Sequence, residues 1–134
     1  MKYLELKEQR IKEINDFPVF WAFSKEQLEK GLKKINATKK EIVSIGAGGY
    51  MRREDTPKFD KLFRDSEKRM QEALKDDAFL IEALVYELGN HEYGYTYDDT
   101  DTIEFLGLDR DDEQVKRCLK EAKRIYNERQ EVYG

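Results

Sequence analysis

Residues 78–89 read AFLIEALVYELG, and this stretch decides the fold. Asp76 and Asp77 precede it as helix-capping residues and Gly89 follows it as a helix stop, which predicts a helix over residues 78–88. A helix that is apolar on nearly all sides must be buried on all sides. We therefore expect a mainly α (α+β) protein in which five to six helices surround this central one.

The flanking segments supply the other helices and a small β element. Glu41–Ile45 is rich in β-branched residues, which favour a strand. A run of glycines separates it from a second candidate strand at Tyr50. This pattern predicts a β-hairpin near residues 41–53. Residues 17–23 (FPVFWAF) predict a short extended segment. Apolar residues at helical spacing predict helices over residues 2–15, 24–35, 56–75, 101–106 and 112–130. Without a repeat or a linker, we expect a single globular domain over residues 1–134.

Composition excludes several classes of protein. The chain has 134 residues, of which 12% are aromatic, and this content argues against a disordered polar chain. Its net charge of −4 argues against a generic nucleic-acid binder, so direct nucleic-acid binding is not expected. No stretch suits a membrane helix or a secretory signal, and Cys118 is the single cysteine, so we expect a cytoplasmic protein. Oligomeric state is not readable from the sequence.

His91 is the only histidine, and this limits the available chemistry. A zinc hydrolase with a His-Glu-x-x-His motif needs two histidines. A serine hydrolase would use His91 as its base, but no serine lies in a nucleophile-elbow motif. We expect His91 to cap the end of the central helix. No complete catalytic motif and no cofactor motif is present, so the sequence favours a binding protein over an enzyme.

The segment after the central helix is the predicted contact surface. Tyrosines alternate with other residues at 93, 95 and 97, and an extended segment would place them on one face. Residues 91–112 hold eight acidic side chains against one arginine, which favours docking to a basic partner. Core packing for the tyrosines and helix capping for the acids remain the alternatives. The predicted partner-binding residues are Tyr93, Tyr95, Tyr97, Asp98, Asp99 and Asp101.

Two other sites are alternatives to that surface. Glycine lacks a Cβ atom, so the backbone of the loop IGAGGYMRR (residues 45–53) can approach an anion such as a nucleotide phosphate. The predicted anion-binding residues are Gly46, Gly48, Gly49, Arg52 and Arg53. A hairpin turn that requires positive φ explains the same glycines. A metal-dependent hydrolase would use His91, Glu92 and Asp98 as ligands of a hard divalent ion.

Four segments, in chain order, carry a resemblance. They are FWAFSKEQ at residues 20–27, IGAGG at 45–49, ELGNHEY at 87–93 and FLGL at 105–108. This pattern resembles a family of small uncharacterised proteins carried by bacteria and their phages, and the likeness covers nearly the whole chain. It implies no catalytic residue. It implies a cytosolic, phage-borne accessory protein. By analogy with small acidic phage proteins, we expect an inhibitor of a host defence factor that acts by direct contact.

Overall fold

The chain is mainly helical with one small antiparallel sheet, as the sequence predicts. This computed structural model describes residues 2–133, and the side chains of residues 2–130. Within that range it has seven α-helices: α1 (Tyr3–Asp16), α2 (Lys25–Lys34), α3 (Thr56–Leu74), α4 (Asp77–Asn90), α5 (Tyr93–Thr96), α6 (Thr100–Phe105) and α7 (Glu113–Tyr133). The strands are β1 (Val19–Trp21), β2 (Ile42–Gly46) and β3 (Gly49–Arg52).

Two compact units make up the chain. The first, called here the helical unit, joins Met1–Leu6 to Arg69–Gly134, and the second, called the sheet unit, is Lys7–Lys68. The boundaries fall inside α1 and α3. The expectation of a single globular domain stays a prediction.

In the helical unit, α4 is the central helix that the sequence predicts. Asp76 caps it, since its side chain accepts a hydrogen bond of 3.0 Å from the backbone N–H of Phe79. The helix continues one residue past Gly89, and His91 is its C-cap. Its buried side chains pack with residues of α7 in one core that includes Leu80, Ala83, Leu84, Leu88, Cys118, Leu119 and Ala122. Burial raises the pKa of the Cys118 thiol, in keeping with a core residue.

In the sheet unit, the strand order is β1-β3-β2 and both pairings are antiparallel. The predicted hairpin is present, and its turn contains Ala47 at φ 50° and Gly48 at φ 82°. The extended segment at residues 17–23 supplies the third strand. Phe20 of β1 packs into a second core with Leu32 and Ile42. Gly31 of α2 makes this packing possible, because a Cβ atom there would overlap the Phe20 ring.

The apolar residues of α1 do not form the buried stripe that their spacing suggests. Tyr3 and Leu6 are the buried residues of this helix, whereas Leu4 and Ile11 are exposed. The Tyr3 hydroxyl donates a hydrogen bond of 2.6 Å to Oε1 of Glu87, which is itself fully buried on α4. The hydrogen bond between Tyr3 and the Glu87 carboxylate therefore accounts for the face of the first turn of α1 that is buried.

Candidate functional site

The three tyrosines after the central helix do not share a face. A shared face requires an extended segment, but Tyr93–Thr96 is one helical turn. Residues two apart on a helix point in widely different directions. Tyr93 is therefore buried, whereas Tyr95 is 88% exposed and Tyr97 is 76% exposed.

The buried tyrosine supports the exposed pair. The Tyr93 ring packs edge-on against Tyr126 at 5.6 Å and against Tyr97 at 6.0 Å between ring centroids. The backbone N–H of Gly94 donates a hydrogen bond of 3.1 Å to the Tyr126 hydroxyl. These contacts join the short helix to α7, so Tyr97 packs against a buried ring of the core and Tyr95 projects from the same turn.

Two residues with left-handed backbone geometry bracket this turn. Glu92 precedes it at φ 59° and Tyr97 follows it at φ 54°. Residues other than glycine avoid this region, and such strain persists only where the surrounding structure imposes it. Tyr95 and Tyr97 are exposed within this constrained segment.

The three predicted aspartates have three different roles. Asp98 accepts hydrogen bonds from the backbone N–H of Thr100 at 2.9 Å and from its hydroxyl at 2.6 Å. These bonds lower the pKa of Asp98, with the hydroxyl as the larger cause. Asp101 is exposed on α6. Asp99 is buried, so it lies beneath the predicted surface and is not part of it.

Asp99 is held by two cations. Arg110 donates a hydrogen bond to Oδ1 of Asp99, and Lys123 Nζ lies 2.6 Å from Oδ2. The hydrogen bond from Arg110 is the main cause that lowers the pKa of Asp99 to about 2, and Lys123 lowers it further. Lys123 also lies 5.5 Å from the centroid of the Tyr93 ring. Lys123 therefore connects Asp99, which directly precedes α6, to the buried ring of Tyr93.

Helix capping explains another part of the acidic segment. Asp112 Oδ1 accepts a hydrogen bond of 3.2 Å from the backbone N–H of Val115, at the start of α7. Asp109 accepts one of 2.9 Å from the backbone N–H of Asp111. The capping alternative therefore holds for Asp112, whereas docking of the exposed acids to a basic partner stays a prediction.

His91 faces the core of the helical unit. Its backbone N–H donates to Glu87 O at 2.9 Å, and its Nε2 atom lies 3.4 Å from Oε2 of Glu87. The ring packs against Phe105 at 5.2 Å. Asn90 donates a hydrogen bond of 3.3 Å to the same Glu87 oxygen. The histidine is thus at the helix end, where the sequence predicts it.

The side chains of the alternative metal site have other partners. His91 lies beside Glu87, whereas Asp98 accepts its hydrogen bonds from Thr100. Glu92 is an exposed residue with left-handed geometry. Among the described residues, no three His, Cys, Asp or Glu side chains form a group that could hold a metal ion.

The alternative anion site is divided between the two ends of β3. Gly49 begins this strand at the hairpin turn and Arg52 ends it, a separation of roughly 10 Å at 3.3 Å per residue. Arg52 donates hydrogen bonds to the backbone oxygens of Ile35 and Asn36. Arg53 donates one of 3.5 Å to Ile42 O. The arginines are thus engaged with backbone carbonyls at the far end of the strand from the glycines.

Two aromatic side chains outside every predicted site are also exposed. Trp21 is 55% exposed and Phe23 is 76% exposed. They lie at and just beyond the end of β1, next to the glycines of the hairpin turn. The two-residue period of a strand is the signal that could have identified them, since it places Trp21 and Phe23 on the face opposite to the buried Phe20 and Ala22.

A separate apolar groove of about 690 Å³ lies along α4 and α7. Its lining includes Leu4, Ile81, Val85 and Ile125, and the cations Lys2 and Arg129 also border it. None of the predicted partner-binding residues lines this groove. No helix within residues 2–133 is both long and apolar enough to cross a bilayer.

Comparison with known proteins places the chain in a family. A family model described as a family of unknown function, DUF7659, matches residues 2–127. No curated protein and no solved structure matches this chain. Because the match extends over nearly all of the sequence, the chain belongs to the DUF7659 family.

Proposed function

We propose that this protein acts by binding a basic protein partner and not by catalysis. The contact surface consists of Tyr95, Tyr97, Asp98 and Asp101, and is called here the tyrosine–aspartate surface. The observation that carries this proposal is the exposure of two tyrosines on a segment that the buried rings of Tyr93 and Tyr126 anchor to the core. Tyrosine is favoured in contact surfaces because it combines a large rigid area with a polar tip.

The charge of the surroundings supports a basic partner. Glu92, Asp101 and Glu104 are exposed, and within residues 2–130 none of the three forms an ion pair with a basic side chain. Such uncompensated acids attract a positively charged surface and repel an acidic one. Asp98 adds an exposed carboxylate.

Within this class, we propose a host defence factor as the partner. Nucleases bind their substrate in basic clefts, because phosphates require cationic contacts. An acidic surface with projecting tyrosines suits such a cleft. The resemblance to small proteins of bacteria and their phages supports a phage-encoded inhibitor that acts in the host cytoplasm.

A capture experiment tests the surface. The double variant Tyr95→Ala/Asp101→Lys changes only exposed side chains, so its free energy of unfolding should stay within about 0.5 kcal/mol of wild type. The matched control is Asp60→Lys, which makes the same charge change on the exposed part of α3. We expect wild type and the control to recover the same basic partners from host lysate, and the double variant to lose them.

Equal recovery of those partners by the double variant would exclude this surface. Expression of wild type in a host that carries a restriction nuclease should raise the plating efficiency of a sensitive phage, and the double variant should not. If neither protein changes plating while capture depends on the surface, the binding role stands and the defence role does not.

A further inference from the structure

Strand β1 is one of the two edge strands of the sheet. It pairs with β3 on one side only, since the strand order is β1-β3-β2. The backbone N–H of Ala22 donates to Gly48 O at 2.8 Å, which continues this pairing. Successive residues of an antiparallel strand direct their backbone groups to opposite edges. The backbone N–H and C=O of Trp21 therefore point away from β3.

A groove of about 490 Å³ follows this edge, between β1 and α2. It is called here the β1–α2 groove. Trp21 and Phe23 line one wall, and Gln27, Lys30 and Lys34 line the other. The side chain of Gln27 accepts a hydrogen bond of 2.7 Å from the backbone N–H of Phe23, and this holds the end of the strand beside the helix. Peptide-binding domains use such a pairing of strand edge and helix to receive an added strand.

The exposed aromatic rings of the groove are held in place by glycines. A Cβ atom on Gly48 would lie 2.5 Å from the Phe23 ring, and one on Gly49 would lie 2.8 Å from the Trp21 ring. Each ring thus rests directly on the backbone of the hairpin. Rings that are fixed before binding lose little conformational entropy when a partner covers them.

The helix wall of the groove is basic. Helix α2 contains four lysines and two glutamates. Lys30 lies 3.5 Å from Glu26, but both side chains are largely exposed and such a pair contributes little. Lys34 forms no ion pair with any side chain of residues 2–130. The positive charge along this wall is available to an acidic partner.

We infer that the β1–α2 groove binds an extended, acidic peptide segment of a partner protein. The peptide pairs with the outward backbone of Trp21 as an added strand, its apolar side chains cover Trp21 and Phe23, and its carboxylates face Lys30 and Lys34. A single-stranded nucleic acid would use the rings and lysines. It would leave the outward strand edge unpaired, and this favours the peptide.

Selection from a displayed library of random decapeptides on the full-length chain tests the inference. We expect enrichment of sequences in which acidic and apolar residues alternate. A selected peptide should bind Lys30→Glu/Lys34→Glu at least about tenfold more weakly than wild type, because both cations are reversed. The matched control Lys39→Glu/Lys40→Glu changes two exposed lysines elsewhere in the sheet unit and should bind as wild type does.

Backbone pairing is tested on the peptide, so the fold of the protein is not at risk. Methylation of alternate amide nitrogens removes the donors that an added strand needs, and binding should fall at least about tenfold. The variant Tyr95→Ala/Asp101→Lys should retain full affinity for the peptide. This separates the inference from the proposed function, since the two depend on different residues.

Several results would overturn the inference. One is the absence of any enriched peptide, and another is a peptide that binds the Lys30→Glu/Lys34→Glu variant, folded by circular dichroism, as well as wild type. Full binding after amide methylation would exclude the proposed pairing of the peptide with β1 as an added strand. Competition by an octamer of thymidylate without peptide enrichment would assign the groove to nucleic acid. Dimerisation that is lost in the charge-reversed variant would assign it to a second copy of the chain.

Discussion

The tyrosine–aspartate surface and the β1–α2 groove both expose aromatic side chains, but they are built differently. Tyr95 and Tyr97 are exposed on a short helical turn and its C-cap, and the edge-on contact of Tyr93 with Tyr126 anchors this turn. Trp21 and Phe23 are exposed at a sheet edge, and their support is the bare backbone of glycines. Acidic side chains surround the two tyrosines, whereas lysines border Trp21 and Phe23. The comparison shows that an exposed aromatic residue can be positioned either by edge-on contact of its segment with buried rings or by packing directly on glycine backbone.

Removal of the ring under the first surface is expected to have the largest effect on stability. Tyr126→Ala deletes a buried ring that contacts Tyr93 and accepts the hydrogen bond from Gly94. We expect a loss of about 3–5 kcal/mol in the free energy of unfolding, measured by urea denaturation. Tyr126→Phe keeps the ring and should cost only about 0.5–1.5 kcal/mol. Equal losses for both variants would show that the hydroxyl, and not the ring, supports the turn.

Addition of a side chain beneath the second surface should have an intermediate effect. Gly31→Ala places a Cβ atom against the Phe20 ring, with Cγ at 2.7 Å, and the core of the sheet unit must shift. We expect a loss of about 1–3 kcal/mol in the free energy of unfolding.

The matched control for this substitution is Gly89→Ala in α4. A Cβ atom there would come no closer than 3.8 Å to Tyr126. Without a clash, the better helix propensity of alanine should make this variant neutral or more stable by up to about 1 kcal/mol. Thermal denaturation measures both variants. Stabilisation by Gly31→Ala would mean that the contact between Phe20 and α2 is not as close as the structure shows.

The smallest expected effect concerns the ion pair of Asp99, and it depends on pH. Its pKa in the folded chain, about 2, lies below the ordinary value. The stabilisation is therefore fully present above about pH 4 and is lost as pH falls from 4 toward 2. Asp99→Asn should lower the free energy of unfolding by about 1–2 kcal/mol at pH 7, since Arg110 and Lys123 are partly exposed and regain water.

Denaturation at a series of pH values measures this difference between Asp99→Asn and wild type. The two curves should converge as the pH approaches 2. Asp101→Asn, at an exposed carboxylate two residues away, is the matched control and should show no such difference. A gap between Asp99→Asn and wild type that is constant from pH 7 to pH 2 would contradict the role of the ionised carboxylate.

Local patterns predicted the elements of the fold with good accuracy. The central helix, its cap at Asp76 and the hairpin with its positive-φ turn follow from residue types within a few positions of each other. The end of α4 was predicted at Gly89, but the helix continues to Asn90. Glycine marks a common stopping point, but the backbone N–H of His91 still bonds to Glu87 O, which closes the helix one residue later than the glycine suggests.

The candidate site was less predictable, because burial depends on residues distant in sequence. Nothing near Asp98 and Asp99 in the sequence indicates that the first accepts hydrogen bonds from Thr100 while the second is buried beside Arg110 and Lys123. The alternation at Tyr93, Tyr95 and Tyr97 suits a strand, and only the packing of Tyr93 on α7 shows that this segment is a helical turn.

The amino-acid sequence by itself determined that this protein is mainly helical, that its centre is residues 78–88 and that one small hairpin accompanies the helices. Periodicity, caps and glycines act over short distances, so they can be read along the chain. The tertiary structure alone decided which aromatic and acidic side chains remain at the surface. That choice depends on contacts between segments far apart in sequence, such as Tyr93 with Tyr126 and Phe20 with Gly31.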